Sequence, residues 1–223
     1  MHWNIPNILT VARLIAAPMI ALVFVFIERP LADWIAMILF ISAAFTDYLD
    51  GYLARTWRQV SAFGRMLDPI ADKAMVVISL AVIMGLSGLN PYVLIPVAFI
   101  LFREVFVSGL REFLGADASK LHVTKLAKWK TTLQMVAIPA LFLTSIYQWD
   151  YILIYNQIGP AAEMEILYQG AEDEFGLKET IWWFKMLEII GIVLIWLAAI
   201  LTVITGVDYF RKSLPYLQEE EDG

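Results

Sequence analysis

Four aspartates between residues 47 and 72 could carry chemistry in this chain: Asp47, Asp50, Asp68 and Asp72. On a helix that turns by ~100° per residue, side chains three or four positions apart share a face. Asp47 and Asp50 therefore share one helix face, and Asp68 and Asp72 share another. If the two helices pack together, four carboxylates meet in a common space. Such a set repels itself unless it is protonated or neutralised by cations, so we expect a cation-binding site here.

The chemistry that these carboxylates favour follows from their oxygen donors. The chain contains no cysteine, and ligands that are all oxygen suit a hard cation such as Mg²⁺, Mn²⁺ or Ca²⁺. Two such ions stabilise both the attacking and the leaving oxygen in phosphoryl transfer. Gly51, Ala54 and Gly64 leave room for a flat ligand beside the helix backbones, and Arg55 can neutralise a phosphate. The pattern predicts phosphoryl transfer assisted by two divalent cations.

Each residue of the pattern also has an ordinary explanation when it is taken alone. An aspartate at the end of a membrane helix is commonly a solvated cap, and glycine or alanine commonly marks close helix packing. The complete set is harder to explain in this way, because carboxylates within membrane helices are costly and usually functional.

The composition of the chain places these residues in a membrane protein. Of 223 residues, 60% are hydrophobic and 17% are charged, whereas an ordinary soluble domain has about 25% charged residues. No stretch resembles a linker, so we expect one membrane domain over residues 1–215. Acidic residues are concentrated in a segment at 150–179, which we expect on the extracytoplasmic side of the membrane, and in a tail at 216–223, which we expect to be disordered.

The apolar segments predict an all-α polytopic protein with six transmembrane helices. A helix needs roughly 20 mostly apolar residues to cross the hydrocarbon core of a bilayer. Six candidate segments have about this length, and both termini then lie on the same side of the membrane. They cover residues 9–27, 32–53, 66–87, 91–113, 124–148 and 180–211.

The basic residues predict the orientation of the six helices. Of the 16 lysines and arginines, only Arg29, Lys178 and Lys185 lie toward the face opposite the four aspartates. Positively charged residues favour the cytoplasmic side of a membrane. We therefore expect an inner membrane protein of the bacterial type, with both termini and the aspartates facing the cytoplasm.

The aspartates belong to a pattern that resembles a known family. The order Asp-x2-Asp-Gly-x2-Ala-Arg-x8-Gly-x3-Asp-x3-Asp runs from residue 47 to residue 72, and it matches the signature of the CDP-alcohol phosphotransferases at every fixed position. Residues 4–18, 61–73, 103–115 and 123–135 further resemble the branch of that family that forms phosphatidylglycerophosphate.

The resemblance implies a fold and an activity. The fold is a six-helix membrane bundle, usually a homodimer, with a cytosol-facing cavity that binds two divalent cations, Mg²⁺ or Mn²⁺. The reaction is the transfer of a phosphatidyl group from CDP-diacylglycerol to sn-glycerol 3-phosphate, with release of CMP.

The resemblance also assigns roles to the residues of the signature. It implies that the four aspartates bind the metal ions and that Asp72 also acts as the base. The residues implied for binding of the CDP donor are Asp47, Gly51, Ala54, Arg55 and Gly64.

The phosphate of glycerol 3-phosphate requires cations that the metal site does not provide. Five basic residues approach the expected cavity from the fourth and fifth helices: Arg103, Arg111, Lys125, Lys128 and Lys130. We expect Arg103, Arg111 and Lys125 to bind the acceptor phosphate, and we rank Lys128 and Lys130 below them. The alternative is that some of them only set the membrane orientation or bind anionic headgroups. Glu104 and Glu112, each one residue past an arginine, are candidates for orienting those guanidinium groups.

The first helix contributes three further polar residues, Asn7, Thr10 and Arg13. They match the opening pattern of the same branch and are candidates for lining the cavity. Their alternative role is to cap the first helix.

Two other functions compete with this reading. Within the family, the acceptor could be serine, an inositol phosphate or phosphatidylglycerol. From a different class, four carboxylates in a membrane could form a divalent-cation transport site. A transporter should place its charges near the middle of the bilayer, often within repeated halves. Here the charges gather at one face and no repeat is evident, so an enzyme is favoured.

Overall fold

The computed structural model describes the backbone of residues 4–56, 61–115 and 125–218. The side chains of residues 48, 53–55, 125, 127, 128, 217 and 218 lie outside that description. The described chain is helical and contains no β-strand, and six of its helices are long and apolar enough to cross a membrane. The prediction of an all-α protein with six such helices is confirmed. The helices are α1 (Ile5–Phe26), α2 (Leu31–Thr56), α3 (Ala62–Leu86), α4 (Pro91–Leu114), α5 (Lys125–Met164) and α6 (Leu177–Gln218).

Polar caps fix the beginnings of the two helices that lie nearest to the aspartates. The side chain of Asn4 accepts a hydrogen bond of 3.0 Å from the backbone N–H of Asn7 at the start of α1. Ser61 accepts one of 2.9 Å from the N–H of Gly64 at the start of α3. Each cap satisfies a backbone donor that has no partner within its own helix.

A main apolar core with side chains from all six helices holds the bundle together. α1 packs on α2 and α3, α6 packs on α4 and α5, and α2 and α3 contact α5. Many large apolar side chains face outward, as expected where lipid rather than water surrounds the bundle. Completely buried or nearly buried core residues come from every helix: Ile20, Phe40, Leu80, Ile100, Phe142 and Ile195.

The last two helices are longer than the apolar segments predicted. α6 has 42 residues, which at 1.5 Å per residue is about 60 Å, or twice the thickness of the hydrocarbon core. α5 spans 40 residues and is divided by a break at Gly159. The predicted end of helix five at 148 was therefore wrong, and α6 continues to Gln218, seven residues beyond the predicted end at 211, whereas its start at Leu177 lies three residues before the predicted one. Hydropathy counts only the length that lipid covers, whereas packing of α5 on α6 lets both helices continue beyond it.

The acidic segment at 150–179 is consequently structured. It contains the end of α5, a π-helix at Glu165–Gln169 and the start of α6. Gly159, with φ of 77°, interrupts α5, and Gly170, also at 77°, ends the π-helix. Only glycine adopts such angles readily. At the other end of α6, the helix includes the first three residues of the expected tail at 216–223, and residues 219–223 lie outside the described chain.

A closed ion pair joins α2 to α5 at the end of the bundle opposite the aspartates of the signature. Arg29 donates hydrogen bonds of 2.8 and 2.9 Å to Asp33, and it also donates to the hydroxyl and carbonyl oxygens of Ser145. Its guanidinium lies 4.6 Å from the ring centroid of Trp149. Asp33 is completely buried, so this pair is part of the packing between the helices.

Candidate active site

The structure brings the predicted aspartates together around one arginine. Asp47 and Asp50 project from α2, and Asp72 projects from α3. Arg13 of α1 donates from Nη1 to Asp47 at 2.6 Å and to Asp72, and from Nη2 to Asp50. One guanidinium thus joins three carboxylates from two helices.

The fourth aspartate is held by a second residue of α1. The hydroxyl of Thr10 donates to Asp68 Oδ1 at 2.7 Å and lies 3.5 Å from Asp50 Oδ2. Thr10 and Arg13 are three residues apart, so they share the face of α1 that meets α2 and α3. Both are buried. Sequence reasoning named them only as candidates for lining the cavity, and their spacing of three was the signal that they act together.

Burial divides the carboxylates into an inner and an outer group. The side chain of Asp50 is 6% exposed and that of Arg13 is 1% exposed. Asp47 and Asp72 are much more open, with 43% and 41% of their side chains exposed. Arg13 and Asp50 therefore lie at the buried bottom of the cluster, and Asp47 and Asp72 are the carboxylates that a ligand can reach.

The charges and the donor atoms of this cluster fit divalent cations. Four aspartates and one arginine carry a formal charge of −3, and every carboxylate ligand is an oxygen donor that hard cations prefer. In the described chain, no group of three or more acidic or histidine side chains surrounds a single point in a way that would hold a metal ion. The guanidinium of Arg13 lies among three of the carboxylates and acts as their counter-charge.

The residues expected to bind the CDP donor are only partly described. Gly51 is half-buried and directly follows Asp50 on α2. The side chains of Ala54 and Arg55 lie outside the described residues. Gly64 meets α1 closely, because a Cβ atom there would lie 2.9 Å from Asn7 Oδ1. The absence of a side chain at Gly64 thus serves the packing of α3 on α1, and its role in donor binding stays a prediction.

A second polar cluster surrounds Glu104 on α4. Lys130 of α5 donates a hydrogen bond to Glu104 Oε1, and Arg103 Nη1 lies 3.3 Å from the same oxygen. Lys73 of α3 interacts electrostatically with Glu104 and donates to the hydroxyl of Ser108. Three cations from three helices therefore gather around one carboxylate, and we call these four charged residues the basic cluster.

The other residues predicted to bind the acceptor take different positions. The guanidinium of Arg111 lies 5.3 Å from the ring centroid of Tyr209 on α6 and interacts electrostatically with Arg103. The side chains of Lys125 and Lys128 lie outside the described residues. The roles of all three in acceptor binding stay predictions.

Two lysines of the basic cluster were ranked low or missed by sequence reasoning. Lys130 was ranked below Lys125, and helical periodicity directed it away from the face of helix five that carries Lys125 and Lys128. Its neighbour Arg103 lies on a different helix, and helical periodicity does not reveal which face of α5 meets α4. Lys73 was not considered as an acceptor ligand, because the candidates were taken from the fourth and fifth helices and Lys73 lies on the third.

Apolar surface adjoins the basic cluster. A cavity of about 250 Å³ opens between α4 and α6, and phenylalanine and valine side chains line it together with Arg103. Gly206 on α6 forms part of its wall, and a Cβ atom there would lie 3.0 Å from Arg103 Cγ. The same stretch of α4 thus offers contacts to a hydrocarbon chain and to an anion.

The fold and the site define a class of protein: a helical membrane protein with a carboxylate cluster where helices α1, α2 and α3 meet. Residues 3–164 match the family model described as CDP-alcohol phosphatidyltransferase. The chain belongs to this family, and the resemblance found in the signature is confirmed.

Named relatives match nearly the whole chain. A protein of Cereibacter sphaeroides is 56% identical over 232 residues, which covers 99% of this chain and 100% of the relative. A protein of Rickettsia bellii is 38% identical and covers 96% and 97%. A protein of Haemophilus influenzae is 37% identical and covers 77% and 87%. All three are named CDP-diacylglycerol–glycerol-3-phosphate 3-phosphatidyltransferase.

Proposed function

We propose that this protein transfers the phosphatidyl group of CDP-diacylglycerol to sn-glycerol 3-phosphate, giving phosphatidylglycerophosphate and CMP in phospholipid synthesis. The observation that carries the proposal is the junction of the two clusters on α3. Asp72 belongs to the carboxylate cluster, and Lys73, the next residue, belongs to the basic cluster. A donor that needs cations and an acceptor that carries a phosphate would meet at this point. The names of the relatives support the same activity.

The carboxylate cluster is the proposed donor site. Asp47, Asp50, Asp68 and Asp72 would hold two divalent cations, Mg²⁺ or Mn²⁺, which when bound neutralise the pyrophosphate and stabilise the leaving oxygen. Arg13 keeps three of these carboxylates close to one another through its hydrogen bonds. The proposed contacts to the CDP moiety are Asp47, Gly51, Ala54, Arg55 and Gly64.

Asp72 is the proposed catalytic base. Its carboxylate is 41% exposed, and Arg13 contacts Oδ1, so that Oδ2 can accept the proton of the acceptor hydroxyl. As that proton moves to Asp72, the hydroxyl oxygen forms a bond to the phosphorus of the phosphatidyl group. The bond from this phosphorus to the CMP oxygen breaks, and CMP leaves. A base within hydrogen-bond reach of the nucleophile commonly accelerates such a step by about 10²–10⁴-fold.

The basic residues are the proposed site for the acceptor phosphate. Arg103, Arg111 and Lys125 are the predicted ligands, and the position of Lys130 beside Arg103 supports adding it to them. Hydrogen bonds from arginine or lysine to a phosphate are about twice as strong as hydrogen bonds between neutral groups. A phosphorylated alcohol would therefore bind here in preference to serine.

We further propose that the site and both termini face the cytoplasm and that the protein forms a homodimer. The cytoplasmic orientation is supported by the 13 lysines and arginines that lie toward the side of the aspartates, out of 16 in the chain. A site at the membrane boundary lets a soluble alcohol meet a donor that is anchored in lipid. The homodimer rests on the resemblance to the family.

Purified protein in detergent would test the proposed activity. CDP-diacylglycerol is supplied with glycerol 3-phosphate, serine, inositol phosphate or phosphatidylglycerol, in Mg²⁺, Mn²⁺ or EDTA. Glycerol 3-phosphate should be the only one of the four acceptors that gives CMP release, with phosphatidylglycerophosphate detected by mass spectrometry. No turnover is expected in EDTA. Product with another alcohol only would contradict the assigned acceptor. Uptake of divalent ions into liposomes without CMP release would favour a transporter.

A further inference from the structure

Glu104 is a buried carboxylate that the proposed reaction does not use. It lies within α4, where its side chain is 12% exposed. An ionised carboxylate at such a position is costly unless cations pair with it. Lys130 and Arg103 contact the same oxygen of Glu104 from α5 and α4. The cost of burying Glu104 is thus offset by two residues that the proposed function places at the acceptor phosphate.

Lys130 depends on Glu104 for its position. Its side chain is 7% exposed, and its ammonium group donates to Glu104. A buried ammonium without a counter-charge is unfavourable, so removal of the Glu104 charge would favour a neutral or displaced Lys130. An ammonium has three N–H donors. One of them is directed to Glu104, and the other two have no hydrogen-bond partner among the described residues, so that they can donate to another anion.

Arg103 is also held in a way that leaves donors for a ligand. Nη1 faces Glu104, whereas Nε is buried and has no hydrogen-bond partner in the described part of the chain. Gly206 lets the stem of Arg103 lie against the backbone of α6. A guanidinium has five N–H donors in a fixed plane. Fixing one end of that plane therefore determines where the others point.

The backbone of Glu104 is tied to the helix that carries Asp72. Ser108 donates a hydrogen bond of 2.6 Å to the carbonyl oxygen of Glu104 and accepts one from Lys73. Glu104 thus connects α4 with α3 through Ser108 and with α5 through Lys130.

We propose that Glu104 is a positioning residue for the acceptor phosphate. It holds Lys130 and Arg103, which come from two helices, next to each other and leaves their other N–H donors for the phosphate oxygens. This inference rests on the proposed function, because it assigns the basic cluster to the acceptor.

Glu112 provides a matched control on the same helix. It also follows an arginine by one residue, but it is exposed and forms no hydrogen bond or ion pair with a described residue. Its neighbour Arg111 contacts Tyr209 instead. Glu104→Gln and Glu112→Gln therefore remove the same charge from the same helix, and only the first removes the counter-charge of Lys130.

Steady-state kinetics of the two variants tests the proposal. We expect Glu104→Gln to raise KM for glycerol 3-phosphate by about tenfold or more, with kcat and the KM for CDP-diacylglycerol changed by less than about threefold. Glu112→Gln should leave all three values within about twofold of the wild type. If Glu104 only stabilised the fold, the yield of active protein would fall and KM for the acceptor would not change, which would overturn the proposal.

A double variant tests whether Glu104 acts through Lys130. Lys130→Met alone should also raise KM for glycerol 3-phosphate. Each single variant raises KM by some factor. If the two residues act as a unit, the factor for the combined variant should be at least about fivefold smaller than the product of the two single factors. Fully multiplicative effects would show that Glu104 acts independently of Lys130 and would contradict the mechanism.

A binding measurement separates this inference from the proposed activity. At the same ligand concentration, inorganic phosphate and glycerol 3-phosphate should raise the Tm of the wild type and of Glu112→Gln by the same amount, and that of Glu104→Gln by clearly less. That result would support the positioning role even if glycerol 3-phosphate were not turned over, in which case only the proposed activity would fail. An equal rise in Glu104→Gln would overturn the positioning role. If Glu104→Gln does not fold, Glu104→Asp keeps the charge on a shorter side chain and should show a smaller rise than the wild type.

Discussion

The two ends of the bundle use the same residue types for different purposes. At one end, Arg29 pairs with a single aspartate, Asp33, and the pair is closed by Ser145. At the other end, Arg13 pairs with three aspartates, and two of these are more than 40% exposed. The first arrangement is electrically balanced and its carboxylate is completely buried, whereas the second keeps negative charge that solvent can reach. The number and exposure of the carboxylates, and not the presence of an Arg–Asp contact, distinguish the candidate site from a structural ion pair.

The largest effect is expected from a change in the aspartate cluster around Arg13. Asp72→Asn should lower kcat by about 10³-fold, because it removes the proposed base while it keeps the size of the side chain. Binding of CDP-diacylglycerol should be partly retained, since three aspartates remain. Single-turnover CMP release and donor binding in detergent would measure the two effects. A variant that keeps more than a tenth of wild-type kcat would show that another group accepts the proton.

The corresponding change in the Arg29–Asp33 pair, at the opposite end of the bundle, should affect stability rather than activity. Asp33→Asn leaves the guanidinium of Arg29 without its counter-charge and should destabilise the fold by about 3 kcal/mol. The measurement is the apparent Tm in detergent, together with kcat per folded molecule. We expect a lower Tm and an unchanged KM for both substrates. A loss of kcat in well-folded protein would mean that the two ends are coupled.

A smaller effect is expected where α1 meets α3. Gly64→Ala places a Cβ atom 2.9 Å from Asn7 Oδ1, and we expect a loss of about 1–2 kcal/mol in stability from this overpacking. Combining it with Asn7→Ala should recover part of the loss, which thermal unfolding of the single and double variants would show. If Gly64→Ala is as stable as the wild type but has a raised KM for CDP-diacylglycerol, then Gly64 serves the donor and not the packing.

The smallest effect is expected in the part of α5 beyond residue 148, where the predicted membrane span ended. Tyr151 donates a hydrogen bond of 2.9 Å to Glu163 across the break at Gly159. Tyr151→Phe removes it and should cost about 0.5–1 kcal/mol, with no change in kcat or in either KM. Glu165→Gln, which removes a nearby charge but not that bond, is the control. A change in kcat or KM in Tyr151→Phe but not in Glu165→Gln would show that this part of α5 has a role in turnover.

Helical periodicity was sufficient to predict much of the site. Spacings of three and four placed Asp47 with Asp50 and Asp68 with Asp72, and the structure brings these faces together around α1. The first four spans were also located within a few residues, because each one is about as long as the bilayer is thick. Both successes concern information that is local in the sequence.

The features that sequence reasoning missed depend on contacts between helices. Periodicity shows that Lys130 points away from Lys125 and Lys128, but only the packing of α5 shows that it points toward Arg103 and Glu104. The continuation of α5 and α6 beyond the bilayer was missed for the same reason, since their ends are stabilised by each other. Arg13 was recognised as a candidate, but its contacts with three carboxylates require the placement of three helices.

The position of Asp72 and Lys73 as adjacent residues of one helix has a mechanical consequence. Relative sliding or tilting of packed helices is the usual way in which a bundle deforms, and it changes the distance between groups on different helices. The separation of these two residues is instead fixed by covalent geometry and by the rise of 1.5 Å per residue. Thermal motion of the bundle therefore moves the proposed base and the neighbouring cation as one body, so that their relative alignment is insensitive to how the surrounding lipid strains the protein.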